Sequence, residues 1–236
     1  MIKRFSILLA IAIIFASVSW AQSNSAEEMT VEQSYRQEAI EMMLIRETSR
    51  VNTREQKMIA LEYIGEALNR GSTNPEVRQT LEYLSQEGTR SVARENNRVI
   101  NNYPDVRRQS AKYLGQIKTE EAKDALIEII KFDNEPMVLQ EAIKALGEIG
   151  IDTNGDTIAN IAWVVSRFDT LNPDNMIAIA TIDAFEKIAK KNGGIKDPAA
   201  INLLLRISTG HYVKPVQERA KQLLADMRSF GSTGNR

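Results

Sequence analysis

Residues 104–117 read PDVRRQSAKYLGQI, and residues 136–149 read PMVLQEAIKALGEI. Pro, Val, Lys, Leu, Gly and Ile recur at matched places, 32 residues apart. In the first copy Val106, Ser110, Tyr113, Leu114 and Ile117 fall on one stripe of a helix. Val138, Ala142, Ala145, Leu146 and Ile149 fill the same stripe in the second. Looser copies follow at Ile177, Thr181, Ala184, Phe185 and Ile188, then at Val216, Ala220, Leu223, Leu224 and Met227. Upstream, Ala60, Tyr63, Ile64 and Gly65 echo the same ending. Between copies lie other amphipathic stretches, at 120–132, 156–169 and 198–209, so the repeating unit is a helix pair. One pair cannot enclose its apolar stripe, whereas stacked pairs enclose it for one another. Small residues at mid-stripe (Ser110, Ala142, Ala220) let the partner helix approach. Gly115 and Gly147 each cost about 1 kcal/mol against alanine inside a helix, which predicts a close backbone crossing at both.

The rest of the chain follows the same grammar. Thr30 with Gln33, and Thr53 with Gln56, have the spacing of capping boxes that open helices running to about 49 and about 70. Gly71 ends the second helix, Asn74-Pro75 starts a third, and Gly88 stops it. Asn172-Pro173 and Asp197-Pro198 place a capping side chain before a proline at the first helical position, while Gly150 and Asn192-Gly193-Gly194 supply left-handed stops. This predicts about eleven helices joined by short connections. The fold class is all-α, an α-solenoid of about five stacked helix pairs over residues 30–229, preceded by a linker at 22–29 and followed by a disordered tail at 230–236.

Pro-x-Val-Arg followed by a small residue and then Leu-Gly resembles the second helix of a HEAT repeat. The resemblance spans roughly residues 53–228 and is closest over 104–149. It implies a right-handed α-solenoid whose second helices line a concave binding face, and it specifies architecture far more than activity. The sequence departs from the family at Leu139, where arginine is usual, and in the loss of glycine from the copies at 185 and 224. No aspartate bridging successive repeats is evident.

The first 21 residues, MIKRFSILLAIAIIFASVSWA, have the layout of a secretory signal peptide. A basic start at Lys3 and Arg4 precedes an apolar run over 7–18, and small residues at Ser19 and Ala21 frame a cleavage expected between Ala21 and Gln22. The alternative is an uncleaved anchor, but the run falls short of the ~20 residues that cross a bilayer as a helix. The expected location is therefore the periplasm or the exterior, with no membrane insertion after the leader is removed. The 236 residues contain no cysteine, which excludes disulfides, thiolate metal sites and lipidation of a cysteine after the leader. A formal net charge of −1 gives no global field to recruit nucleic acid.

Nothing in the sequence has the pattern of an active site. His211 is the single histidine, without a neighbouring base partner or further metal ligands. DTNGDT at 152–157 has its glycine at the wrong place for a calcium loop and Trp163 at the twelfth position; a polar turn capping the next helix is the better reading. No catalytic, metal or cofactor residues are assigned, and no cofactor is expected. The surface carries the binding candidates. In TRSVARENNRVINNY, Arg90, Arg94 and Arg98 recur every four residues, which predicts one helix face. Arg107, Arg108 and Lys112 follow on the next helix, and Lys144 takes the place of Lys112 one repeat later. Together they predict a basic patch, read either as a solvated, internally paired face or as a docking surface for an acidic protein segment or an anionic envelope polymer. Trp163 flanks its core stripe and is the remaining candidate, with packing between repeats as the competing expectation. The function expected is a non-catalytic protein-interaction scaffold of the cell envelope. A structural or assembly part of an envelope-spanning machine is the alternative, and a lyase-type enzyme on the same fold is the more remote one.

Overall fold

The structure, a computed structural model, describes residues 30–171, 173–195 and 197–230. The expected leader, the linker at 22–29 and the tail from 231 lie outside the described residues. Ten helices are present among them: α1 Val31–Arg50, α2 Arg54–Asn69, α3 Pro75–Ser85, α4 Pro104–Ile117, α5 Glu120–Phe132, α6 Pro136–Ile149, α7 Asp156–Leu171, α8 Asn175–Asn192, α9 Pro198–Thr209 and α10 Lys214–Phe230. The helix expected within 89–103 does not form. That stretch is a hairpin of two short antiparallel strands, β1 Arg94–Glu95 and β2 Arg98–Val99, in which Arg94 faces Val99 and Glu95 faces Arg98. Asn96 and Asn97 both take positive φ, 47° and 64°, the pair of left-handed residues a tight two-residue hairpin turn demands. An arginine every fourth residue imitates a helix face, but adjacent asparagines suited to a turn decide the backbone.

Contacts divide the chain into two compact units, one ending at Ile40 and one running from Glu41. In the first, Thr30 and Gln33 close the expected capping box: the Gln33 N–H donates to Thr30 Oγ1 at 3.2 Å and the Thr30 N–H to Gln33 Oε1 at 2.9 Å. Arg36 pairs with Glu32 one turn along, at 3.0 Å.

In the second unit, successive helices alternate between two layers. α2, α4, α6, α8 and α10 pack on one another in order and form the inner layer. α3, α5, α7 and α9 form the outer layer, and each is covered by the inner helix that follows it. Helices within a layer run parallel. Arg54 at the start of α2 pairs with Asp105 at the start of α4, and at the far ends Lys191 Nζ donates to the Ile149 carbonyl at 2.6 Å. The four stripes read from the sequence are the seam between layers. Val106, Ser110, Leu114, Val138, Ala142, Leu146, Ile177, Thr181, Phe185, Val216 and Ala220 are all buried.

The helix glycines do what their cost implied. A Cβ added to Gly115 would lie 2.7 Å from Ala145 Cβ, and one added to Gly147 would lie 2.7 Å from Ala184 Cα. Ala145 and Ala184 occupy one stripe position in successive copies, so the crossing recurs in register. Most caps also form as read: Asn74 accepts from the Glu76 N–H at 3.0 Å and Asp197 from the Ala199 N–H at 2.7 Å. In the 152–157 turn Asp152 accepts from the N–H groups of Thr157 and Ile158, at 3.0 and 3.2 Å. Two caps differ. Thr53 makes no side-chain capping bond. At α8 the cap is Asp174, bonded to the Met176 and Ile177 N–H groups at 2.7 and 3.0 Å; Asn172, the expected cap, lies outside the described residues.

Candidate functional site

One register position on the inner helices sorts the candidate cations. Counting back from Gly65, Gly115 and Gly147 it holds Lys57, Arg107 and Leu139. Lys57 is 1% exposed; its ammonium donates to Glu87 Oε1 at 2.6 Å and to the Ser49 carbonyl at 3.0 Å. Arg107 is also 1% exposed; Nε and Nη2 donate to the two oxygens of Asp133 at 2.6 and 3.2 Å. Its Nη1 reaches the Glu87 carbonyl at 2.9 Å and Asn102 Oδ1 at 2.8 Å. Asn101 completes the network by donating to Glu87 Oε2 at 2.6 Å. Each inner-layer cation is thus answered by an acid at the end of the outer helix in the next pair, Glu87 after α3 and Asp133 at the end of α5. Asp133 is the bridging aspartate that the sequence did not reveal, and Arg107 belongs to the core, withdrawn from the basic surface expected of it. Asn101 and Asn102 are both spent on the same network.

The other candidates are on the surface, but not as a single patch. Arg90 is held at 2.6 Å by Glu128 and stacks on the Phe132 ring at 4.9 Å. It borders a groove of about 320 Å³ between α3 and α5 that also touches Glu82 and Asp124. Arg94 and Arg98 project to opposite sides of the hairpin, since their strand partners differ. Arg108 and Lys112 point outward from α4, and Lys144 from α6, where Glu141 is 3.8 Å away on its own helix. Trp163 is 55% exposed, contrary to the packing expected of it, with the Arg167 guanidinium over its ring at 5.2 Å. Trp163 on α7 and Leu205 on α9 are both exposed on the outer layer, each between two buried residues, Ile161 and Val165 or Leu203 and Ile207.

Cross-pairing along the inner layer isolates one junction. α2 is tied to α4 by Arg54 and Asp105. α6 is tied to α8 by Glu148 and Lys187 at 2.6 Å, and α8 to α10 by Asp183 and Arg219 at 2.9 Å. Glu186 also takes Arg219, at 2.8 Å. Lys190 first and then Arg219 hold the Glu186 carboxyl below its ordinary pKa against a burial penalty. No ion pair joins the exposed rows of α4 and α6 among the described residues, and Arg108 and Lys112 have no carboxylate partner there. The next two inner helices carry exposed apolar side chains that the sequence reading missed: Met137 on α6, with Met176 and Ile179 on α8. Their signal was available, since all three fall off the apolar stripe of an otherwise polar row.

Burial on the outer layer is tuned differently. Lys123 is sunk between Glu120, Asp156 and Asp124, at 2.9, 2.9 and 3.2 Å. Burial pulls its pKa down, and the hydrogen bonds it donates to Glu120, Asp156 and Asp124 outweigh that, so its ammonium is held above the ordinary range. His211 is exposed in the turn before α10. Among the described residues no group of His, Asp and Glu is placed to hold a metal, and no helix is long and apolar enough to cross a membrane.

The buried Arg107–Asp133 bridge between successive pairs sits inside a stretch recognised by a family model: residues 99–170 match HEAT repeats. This stretch carries HEAT repeats. The match runs from the hairpin through α7 and takes in the two copies at 104–117 and 136–149. HEAT repeats commonly serve as protein-interaction scaffolds and are typically not enzymes. A search of curated proteins gave no match to the chain.

Proposed function

We propose that this chain is a non-catalytic scaffold of the cell envelope that binds a protein partner through its inner layer. The observation that carries this is the α4–α6 junction. Arg108 and Lys112 stand unpaired there, while the inner-layer junctions on either side are closed by cross-helix ion pairs. Unpaired cations on α4 and exposed Met137 on α6 give a partner both steering charge and apolar area. Location in the periplasm follows from the leader-like first 21 residues and is part of the proposal. The test is crosslinking in intact cells followed by identification of co-purified protein, comparing wild type with Arg108→Glu/Lys112→Glu. Both side chains are exposed, so helicity and melting should hold while capture is lost. Undiminished capture by the variant would remove the inner layer from the proposal.

A second reading has its own support. Trp163, with Arg167 stacked on it, and Leu205 are exposed apolar side chains on the outer layer. Two binding surfaces on two layers suit a part built into a larger envelope assembly, touching two neighbours at once. Trp163→Ala should then release the chain from such a complex in sedimentation while leaving inner-layer capture intact.

A further inference from the structure

We infer that the inner layer takes a partner segment that is acidic where it meets α4 and apolar where it meets α6 and α8; this rests on the scaffold reading above. The inner layer changes character helix by helix. The exposed row of α2 is acidic, with Glu55, Glu62 and Glu66. That of α4 is basic, with Arg108 and Lys112. On α6 and α8 the exposed positions nearest the helix starts are Met137, Met176 and Ile179. Gly147 against Ala184 fixes the register of these two helices, which places Met137 and Met176 at matching positions. Lys187 on α8 and Arg219 on α10 are already bound to Glu148, Asp183 and Glu186.

An acidic end therefore has one place to sit. α4 attracts it, and the glutamates of α2 repel any extension past α4, which sets both the end point and the direction of the segment. The two methionines are adaptable apolar contacts suited to more than one shape of side chain. Neighbouring helices pack about 8–10 Å apart, so α4 to α8 spans about 16–20 Å, or roughly five to six residues of extended chain.

The test uses the purified chain and three fluorescein-labelled peptides of equal length, read by anisotropy. One carries Asp and Glu followed by Leu, Phe and Met. The second replaces the acids by Lys, and the third is acidic throughout. The first is expected to bind at least about tenfold more tightly than either other, with the charge term weakening as salt rises. Arg108→Glu/Lys112→Glu should reduce its affinity by about tenfold or more, and Met137→Ser/Met176→Ser by roughly threefold to tenfold. Equal binding of the first two peptides, binding of none, or indifference to the charge reversal would each overturn the inference. Failure of the scaffold reading looks different: in-cell crosslinking would then capture no partner. A captured partner that engages α4 through a neutral or basic segment would leave that reading standing and remove this inference alone.

Discussion

The two halves of the inner layer use one stripe and one glycine crossing, yet their seams are closed by different chemistry. At the register position shared by Lys57, Arg107 and Leu139, the N-terminal half buries a cation against Glu87 or Asp133. The C-terminal half buries an apolar side chain, Leu139 and then Ala178. Both solutions pack completely. The difference shows that the stack does not need the buried ion pairs for cohesion, since α6 and α8 pack closely without a buried one. A buried ion pair costs desolvation that its attraction only approximately offsets, whereas breaking it leaves a charge stranded. The charged half is thus the half less tolerant of change.

The largest effect should come where neither half has any slack. Ala142 sits at mid-stripe, fully buried between the two, and Ala142→Glu should unfold the middle of the stack, seen as loss of helicity and of a cooperative melt. A folded variant would contradict the register. Next, Arg107→Leu strands Asp133 and is expected to cost about 3–5 kcal/mol in urea unfolding. Arg107→Leu combined with Asp133→Leu imitates the C-terminal half and should cost clearly less than the single change. Some loss will remain because Asp133 also accepts from the Glu135 N–H at 2.9 Å. Equal losses from the single and double changes would erase the proposed contrast.

The glycines sharpen the comparison at smaller scale. Gly147→Ala pushes a methyl into the backbone of Ala184, which cannot yield, and should destabilise by about 1–3 kcal/mol. In the N-terminal half a Cβ on Gly65 meets the hydroxyl end of Tyr113, a side chain that can swing aside. The helix-propensity gain of up to about 1 kcal/mol should then make Gly65→Ala much milder. Thermal melts of the two variants compare them directly.

The smallest effect depends on pH. Burial raises the Asp152 pKa in the fold against the two capping N–H bonds that favour its ionised form. A raised carboxyl favours folding fully below its unfolded pKa and loses that contribution as pH rises through its folded pKa. Asp152→Asn keeps an acceptor for both N–H groups, so it should match or slightly exceed wild type at neutral pH. That advantage should shrink as pH falls through the carboxylate range, in paired urea titrations. A constant difference would mean that Asp152 does not titrate with folding.

What the sequence could and could not convey follows from how local each signal is. Stripes, helix glycines and the caps at Thr30, Asn74 and Asp197 depend on residues within a turn or two, and periodicity exposes them. The two-layer packing and the family match agree with that reading. Arg107 was misplaced because a cation looks the same whether solvated or buried, and its acid lies 26 residues further on. The hairpin was misread because Arg90, Arg94 and Arg98 imitate a helix more loudly than Asn96 and Asn97 announce a turn. Of the candidate binding surface, the cations Arg108, Lys112 and Lys144 were legible. The apolar Met137, Met176 and Ile179 stand out as off-stripe positions, but their meaning depends on which helices become neighbours.

Glu87 has a consequence for how such a chain could be shortened or lengthened. Its carboxylate answers the pair before it, through Lys57, while its carbonyl answers Arg107 of its own pair. Excising the pair that contains it would orphan Lys57 and discard the hairpin whose base it organises. Among the described residues no charged side chain is buried beyond Leu139, and Ala178 offers any successor only an apolar seat. The chain is spliceable at one end and keyed at the other, and growth or loss of repeats would be expected to leave its trace after α6 rather than before it.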